Sequence, residues 1–432
     1  MTEERLGKGI KSSRETEVLV IGAGPAGMCA AVAAARSGAK TLLVDKNGVP
    51  GGNLTLGYVG PVMGKVCGGT LADEVAQLLG VYDKFEVHFD SERAKIRLCG
   101  WLDGQENLSL LLGCTLTEVT RDGSAVTGAV FSHAGGGIAV SARQIVDCTG
   151  DGTAAYLAGA RYEIGRARDG LVQPVSLMFT LSGVDEAIAG VCRHEEDDFA
   201  IPQGSYLQTV AQANKDGILP ASVGIIRLYR SVIPGERMVN AVQANGVDPL
   251  DAEQMTRAEL DLRVQEQCVI DYLRQKIPGF QNARIKGSSS VTGVRESRRI
   301  TGDYILTGDD LLSGRKFADA AVHNAEFCID IHNPEGTGQA EAEGCPPRVK
   351  PYDIPYRCLT PQGVDNLLTA GRCVSGTHRA HASYRVMTIC MATGQAAGTA
   401  AAICAAEGIS PHSLNAERLR EALIASGVKL LE

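Results

Sequence analysis

The chain has 432 residues, 44% of them hydrophobic and 21% charged, with a formal net charge of −8. That length allows two or three domains with sizeable cores, and the acidic balance argues against a nucleic-acid partner. No apolar run is long enough to span a membrane and the polar start MTEERLGKGIKSSRETE lacks the apolar centre of a secretory signal, so a cytoplasmic protein without a membrane partner is expected.

Residues 1–15 read as a loose tail. Glu17 to Asp45 then carries the strongest signal in the chain. Val18 to Ile21 is a short apolar run, expected as a buried strand. Gly22, Gly24 and Gly27 follow in the spacing G-x-G-x-x-G, and Ala26 to Ser37 is alanine-rich and helical in character. Gly38 ends the helix, and Thr41 to Val44 is a second strand that ends on Asp45. Gly22 permits a tight turn, Gly24 lets the backbone approach a pyrophosphate, and Gly27 lets helix and sheet pack closely. The helix start offers free N–H groups to phosphate, and Asp45 stands where a carboxylate meets a ribose hydroxyl. Strand, glycine turn, helix, strand and acid agree on a dinucleotide site.

The next stretch, KNGVPGGNLTLGYVGPVMGKVCGG, is a glycine-rich loop whose polar groups, Asn53 and Thr55, suit the edge of a ring. Leu71 to Leu79 is expected as a helix, and the segment from there to Gln105 shows no legible pattern beyond Trp101, read as a buried anchor. Three β-runs follow between Leu110 and Asp147, broken at Arg121-Asp122-Gly123 and Gly135-Gly136-Gly137, which predicts a β-meander. Its last strand runs into Thr149, Gly150 and Asp151, at the carboxyl end where open α/β sheets bind ligands. Asp151 either reaches cofactor phosphates or caps the helix from Ala154.

Residues 161–350 change in pattern and hold no second G-x-G-x-x-G, so they are expected to form an inserted substrate domain. Pro174 to Ser182 reads as a strand, Thr256 to Gln275 as a helix, 291–308 as strand-like and basic, and Asp309 to Phe327 as containing a helix. Residues 351–432 return to the nucleotide domain: Asn366 to Arg372 reads as a strand entering a loop, and Met387 to Cys404 as a tightly packed helix. The thirteen cysteines are scattered without a C-x-x-C pair, so buried reduced thiols are expected rather than a redox disulfide or an iron–sulfur cluster.

Taken together, IGAGPAGMCAA, LLVDKNGVPGGNLT, IVDCTGDG, GVRESRRITGDYIL and NLLTAGRCVSGTHRAHASYRVMTICMATGQAAG resemble the FAD-dependent oxidoreductases, distant relatives of glutathione-reductase-type and fumarate-reductase-type flavoproteins. The resemblance implies an α/β fold: a Rossmann-like FAD-binding domain with a parallel sheet and β-meander (16–160 and 351–432), plus the inserted α+β substrate domain (161–350). It implies non-covalent FAD, with the ADP half on Gly22, Gly24, Pro25, Ala26, Gly27, Asp45 and Lys46. Gly51, Gly52 and Asn53 would approach the pyrophosphate or flavin, with Thr149, Gly150 and Asp151 near the phosphates. Gly371 and Arg372 would approach the pyrophosphate and ribityl chain, although relatives often carry Asp where this chain has Arg372. A helix beginning near Thr393, with Gly394, Gln395 and Ala396, would aim its positive end at the flavin.

Flavin chemistry needs a base or acid and an anchor near the ring. The best cluster is His378, His381, Tyr384 and Arg385, with Cys390 beyond. His381 leads as general base, ahead of His378; the competing reading is that these histidines bond backbone or phosphates. An H-x-x-H metal site lacks further ligands, so no metal is expected. Arg385 is the leading anion anchor, with Arg295, Arg298 and His332 as substrate-binding candidates; Arg295 and Arg299 would share one strand face, with Arg298 on the other. The expected activity is hydride transfer between flavin N5 and a small polar hydroxy or carboxylate compound. The alternatives are a flavin-dependent monooxygenase and a flavin-bearing electron-transfer subunit. The small-molecule substrate is the expected partner, and a homo-oligomer is left open.

Overall fold

The computed structural model describes residues 10–81, 88–192, 197–338 and 347–430. Strand β1 (Ile10–Ile21) leads through the glycine turn into α1 (Pro25–Arg36) and β2 (Thr41–Asp45). β1 starts earlier than expected. The stretch assigned to a tail pairs in parallel from Ile10 with the strand that ends the meander, so residues 10–15 are ladder and not tail. The reason is an available edge: that strand is long, and its first half would otherwise leave one row of peptide groups unpaired. Trp101, expected as a buried anchor, is only part-buried; its indole N–H donates to Glu74 at 2.8 Å.

Helices α2 (Leu71–Leu79) and α3 (Ser91–Asp103) follow, the second in the segment that carried no legible pattern. The first expected β-run is in fact two strands. Gly113 turns the chain between β3 (Leu108–Leu112), which pairs in parallel with β2, and β4 (Thr115–Asp122), which joins the antiparallel meander with β5 (Ala125–His133) and β6 (Gly136–Asp147). The sheet order is β3-β2-β1-β6-β5-β4, with one further strand on β6.

Short α4 (Thr153–Leu157) and β7 (Tyr162–Ile164) lead to the second layer. Its strands are β8 (Val175–Ser182), the small pair β9 (Ala200–Ile201) and β10 (Gly204–Ser205), β11 (Arg227–Arg230), β12 (Arg237–Ala244) and β13 (Arg284–Ser288), with α5 (Tyr206–Lys215) and α6 (Ala252–Lys276) between them. β8 is central in the order β11-β12-β8-β13, which accounts for its near-continuous apolar run. Phe179, Leu228, Val239, Leu262, Val269 and Leu273 meet in a core of their own.

That second core is narrower than residues 161–350. After β14 (Arg298–Ile300), α7 (Gly308–Ser313) and β15 (Ala320–Ala325), the side chains of Leu306, Leu311, Val322 and Ile331 pack into the first core, with β15 pairing β16 (Tyr352–Pro355). The helix expected within 309–327 is limited to α7 because Gly314 takes up a left-handed cap. β17 (Leu367–Thr369) then pairs in parallel with the second half of β6, and α8 (His378–Tyr384), α9 (Met387–Glu407) and α10 (Ala416–Ala425) close the chain. α9 is long and apolar enough to cross a membrane by composition (mean hydropathy 1.4), but 89% of that window is buried inside the protein. It lies against α1 on one face of the parallel sheet, so tightly that Gly394 meets Ala26 and Gly398 meets Ala30 backbone to backbone.

Candidate active site

A cleft of about 340 Å³ opens at the carboxyl ends of the parallel strands. At one end stand Val44, Asp45, Lys46 and Asn47, faced by Cys114 to Leu116 at the start of β4. In the middle, Gly22, Gly24, Pro25 and Ala26 face Thr149, Gly150 and Asp151, with Gly52 and Gly371 alongside. Arg372 stands beside Gly150, and at the far end are Asn53, Arg385, Met387 and Cys390.

Each wall follows from local chemistry. Gly22 has φ +99°, and a Cβ there would stand 2.5 Å from the Cys148 carbonyl oxygen, so only glycine turns the chain this close to β6. Asp45 sits at the tip of β2 with Oδ2 accepting the Ala23 N–H at 2.5 Å and Oδ1 accepting the Asn47 N–H at 2.7 Å. It therefore locks the glycine turn as well as facing the cleft. α1 begins at Gly24 with no side-chain cap and Pro25 at its first position, so its first N–H groups face the cleft unclaimed by side chains. Gly27 and Gly51 do not line the cleft. Gly27 lets α1 sit against Gly22, and the Gly51 N–H donates to the Ala23 carbonyl at 2.7 Å, which pins the following loop over the turn.

One of the two readings of Asp151 fails. The residue does not cap α4; Thr149 Oγ1 accepts the Thr153 N–H at 2.9 Å and Asp147 Oδ2 accepts the Ala155 N–H at 2.8 Å. Asp151 instead pairs with Arg372 at 2.6 Å and accepts from Ser297 Oγ at 2.7 Å. Burial opposes its charge, but Arg372 and Ser297 outweigh that and hold its carboxyl below the usual range. The Arg372 guanidinium thus lies across the middle of the cleft, 2.9 Å from where a side chain on Gly150 would begin.

The flavin-facing helix needs a correction. α9 begins at Met387, as the reading of Met387 to Cys404 as a helix expects, and not near Thr393 as the family resemblance implies, because Val386 takes extended N-cap geometry and α8 stops at Tyr384. Gly394, Gln395 and Ala396 consequently lie two turns inside α9 and do not line the cleft. Gly394 packs on Ala26, Gln395 Oε1 accepts the Leu71 N–H at 2.8 Å, and Ala396 is fully buried. The α9 side chains bordering the cleft are Met387 and Cys390, whose thiol burial pushes up to about 12.

The histidine expectations also change. His381 is fully buried beneath the Arg372 loop, its Nε2 3.1 Å from the Arg372 carbonyl. Burial, with Arg299 and Arg385 nearby, holds its pKa well below the ordinary value, so it stays neutral and away from the cleft. His378 Nδ1 is 2.8 Å from Glu296 Oε1, in a buried network that also takes Arg299. Tyr384 is buried and its hydroxyl donates to the Val374 carbonyl at 2.7 Å. None of the three lines the cleft. Arg298 is likewise turned away: its guanidinium stacks 4.0 Å from the Tyr156 ring centre and donates to the Asp151 carbonyl at 3.3 Å.

Arg385 alone of the four catalytic candidates lines the cleft. Its Nη2 donates to the Asp330 carboxylate and carbonyl, each at 3.0 Å, and to Gln173 Oε1 at 3.3 Å. His332 Nε2 is 3.4 Å from the same Asp330 oxygen. Burial first, then Arg295, lowers the His332 pKa to about 4. Arg295 itself donates to the Pro174 carbonyl at 2.6 Å. Gln173 and Asp330 thus join Arg385, Arg295 and His332 in one buried polar cluster behind the far end of the cleft. Neither Asp330, two residues before His332, nor Gln173, which precedes the strand-like PVSLMFTLS, carries a motif in the sequence. Among the described residues, no group of three or more His, Cys, Asp or Glu is placed to hold a metal ion.

The donors suit a dinucleotide: a carboxylate for a ribose, helix N–H groups and Arg372 for two phosphates, and the end lined by Asn53, Arg385, Met387 and Cys390 for a ring. A family model described as FAD dependent oxidoreductase matches residues 17–423. A curated relative, sarcosine oxidase subunit alpha of Rhizobium meliloti (strain 1021), is 52% identical over 44 residues, which cover 10% of this chain and only 4% of that protein. Among solved structures, a geranylgeranyl bacteriochlorophyll reductase-like protein from Thermoplasma acidophilum is 14% identical, covering 96% of this chain and 85% of that one at a TM-score of 0.48. p-Nitrophenol 4-monooxygenase from Pseudomonas putida DLL-E4 is 10% identical, covering 96% and 85% at 0.49.

Proposed function

The chain belongs to the FAD-dependent oxidoreductase family, and from that premise we propose that it exchanges a hydride between FAD and a small polar organic substrate, a hydroxy or carboxylate compound. FAD supplies the two-electron chemistry at its ring; the protein supplies binding, orientation and charge.

Asp45 would take the adenosine ribose, and the open N–H groups of α1 with Arg372 would neutralise the pyrophosphate. Arg372, already paired with Asp151, would then stand between that carboxylate and the phosphates, both of which would hold it in place. The first turn of α9 adds a positive helix end beside Met387.

The observation that carries the substrate reading is Arg385. It borders the cleft at the α9 end, while Asp330 and Gln173 hold its Nη2 from behind. A guanidinium so fixed orients an anionic or hydroxylated substrate without first having to be ordered. His332, beside Asp330 behind the cleft, would help to hold the carboxylate that fixes Arg385.

The test is rapid mixing of the FAD-loaded protein with candidate hydroxy acids, in parent and Arg385→Lys forms. Loss of the fixed planar fork should slow flavin reduction about 10- to 100-fold, while the flavin is retained. An unchanged rate in the variant would remove Arg385 from the substrate site.

A further inference from the structure

The second layer carries a surface that the cleft does not explain. α6 runs for 25 residues, and its inner face, with Leu262, Val269 and Leu273, fills the second core. Its outer face is not uniformly polar. Leu260 is 58% exposed and Val264 is 64% exposed, one turn apart, and half-buried Cys268 continues the stripe by another turn. Such a row at i, i+4 and i+8 is the stripe a helix presents to a partner, not to water.

The charges around the stripe say which partner fits. In an antiparallel pairing of two such helices about a twofold axis at Val264, positions equidistant from Val264 face each other. Val264 meets its own copy and Leu260 meets Cys268. Arg257 then meets Asp271, and Asp261 meets Gln267. Arg257 against Asp271 joins opposite charges, and Asp261 meets a neutral amide. Arg257 is available on this face, held only loosely to Asp261 at 3.3 Å with both side chains largely exposed. The Asp271 carboxylate accepts from Gln267 on the same face, at 3.0 Å. An isologous twofold contact requires this kind of self-complementarity of a single surface.

We propose that the protein self-associates through the outer face of α6, Leu260 and Val264 seating against a second copy of the same helix. The paired stretch from Arg257 to Asp271 spans about 22 Å at ~1.5 Å per residue, with a contact width of about 10 Å, so α6 alone covers on the order of 200 Å² on each copy. That is roughly a quarter of the per-partner area of a standard stable interface, so the association is weak and concentration-dependent. The cleft opens on the other layer, so the association leaves cofactor binding intact.

Sedimentation velocity on the FAD-loaded full chain, from about 1 to several hundred micromolar, tests this. The expected result is a monomer–dimer equilibrium that Leu260→Glu with Val264→Glu abolishes. Arg257→Asp should weaken it, and Arg257→Asp combined with Asp271→Arg should restore it. Both apolar positions are exposed, so the variants fold; circular dichroism and retained flavin confirm it. Val264→Cys should give a disulfide-linked dimer on mild oxidation. A monomer across the whole range, or a dimer that survives Leu260→Glu with Val264→Glu, would overturn the proposal.

Discussion

Alanine in place of Gly394 should destabilise the protein, although glycine is ordinarily a poor helix residue. In an exposed helix, glycine to alanine gains about 0.5–1 kcal/mol from reduced chain entropy. Gly394 lies where α9 crosses α1, and a Cβ there would fall 2.9 Å from Ala26 Cα and closer still to its carbonyl oxygen. Ordinary carbon contacts lie near 3.5–4.0 Å, so the helices must part by on the order of 1 Å. Overpacking of that kind costs about 1–3 kcal/mol, which outweighs the entropic gain. The same helices carry Pro25, Ala26, Met387 and Cys390 to the cleft, so the shift also loosens FAD. Gly100 is the internal control: it is exposed in α3, and a Cβ there meets nothing within 4 Å. Urea unfolding followed by circular dichroism and flavin release would compare the two. Gly394→Ala should lower the midpoint and speed FAD loss, and Gly100→Ala should raise the midpoint slightly. If Gly394→Ala were as stable as the parent and retained FAD equally, the close crossing of α1 and α9 would be refuted.

Asp45→Ala removes three charge-assisted hydrogen bonds, one of which holds the glycine turn, as well as a carboxylate facing the cleft, so FAD titrated into apoprotein should bind at least about tenfold more weakly. His381→Gln should lower stability yet leave the pH profile of turnover unchanged, since the ring is buried under the Arg372 carbonyl; a shifted profile would return His381 to the chemistry. Burial lowers the pKa of both His88 and His332 to about 4 from an ordinary 6.5. The unfolded chain takes up those protons first, so stability is complete above about pH 6.5 and falls as pH drops toward 4. His88→Leu should flatten that slope in denaturation curves collected across the window.

The nucleotide half was legible because its signals are local. Gly22, Gly24, Gly27 and Asp45 sit within one strand–helix–strand unit, and the cleft assembles on them. The start of α9 at Met387 is legible too, in the small apolar run to Cys404; only the family resemblance, which starts the flavin-facing helix near Thr393, misplaces it, since Val386 offers no polar cap to mark the boundary. The catalytic cluster misled for a different reason. His378, His381, Tyr384 and Arg385 are neighbours in sequence, but the first three lie on a short helix whose side chains turn away from the cleft, and only Arg385, which caps it, reaches the cleft. The residues that surround Arg385, Gln173 and Asp330, lie 212 and 55 positions away, and only the fold brings them together. Arg372 stood out as a departure from the pattern of relatives, and its geometry gives a reason: it pairs with Asp151 from the adjacent strand end.

The most direct measurement is an anaerobic visible spectrum of the purified protein, first loaded with FAD and then titrated with hydroxy acids and other small polar reductants. The account predicts a bound flavin that one of these compounds bleaches, and that Arg385→Lys bleaches far more slowly. A protein that shows no bound flavin after FAD is added, or whose variant is reduced as fast as the parent, would contradict it.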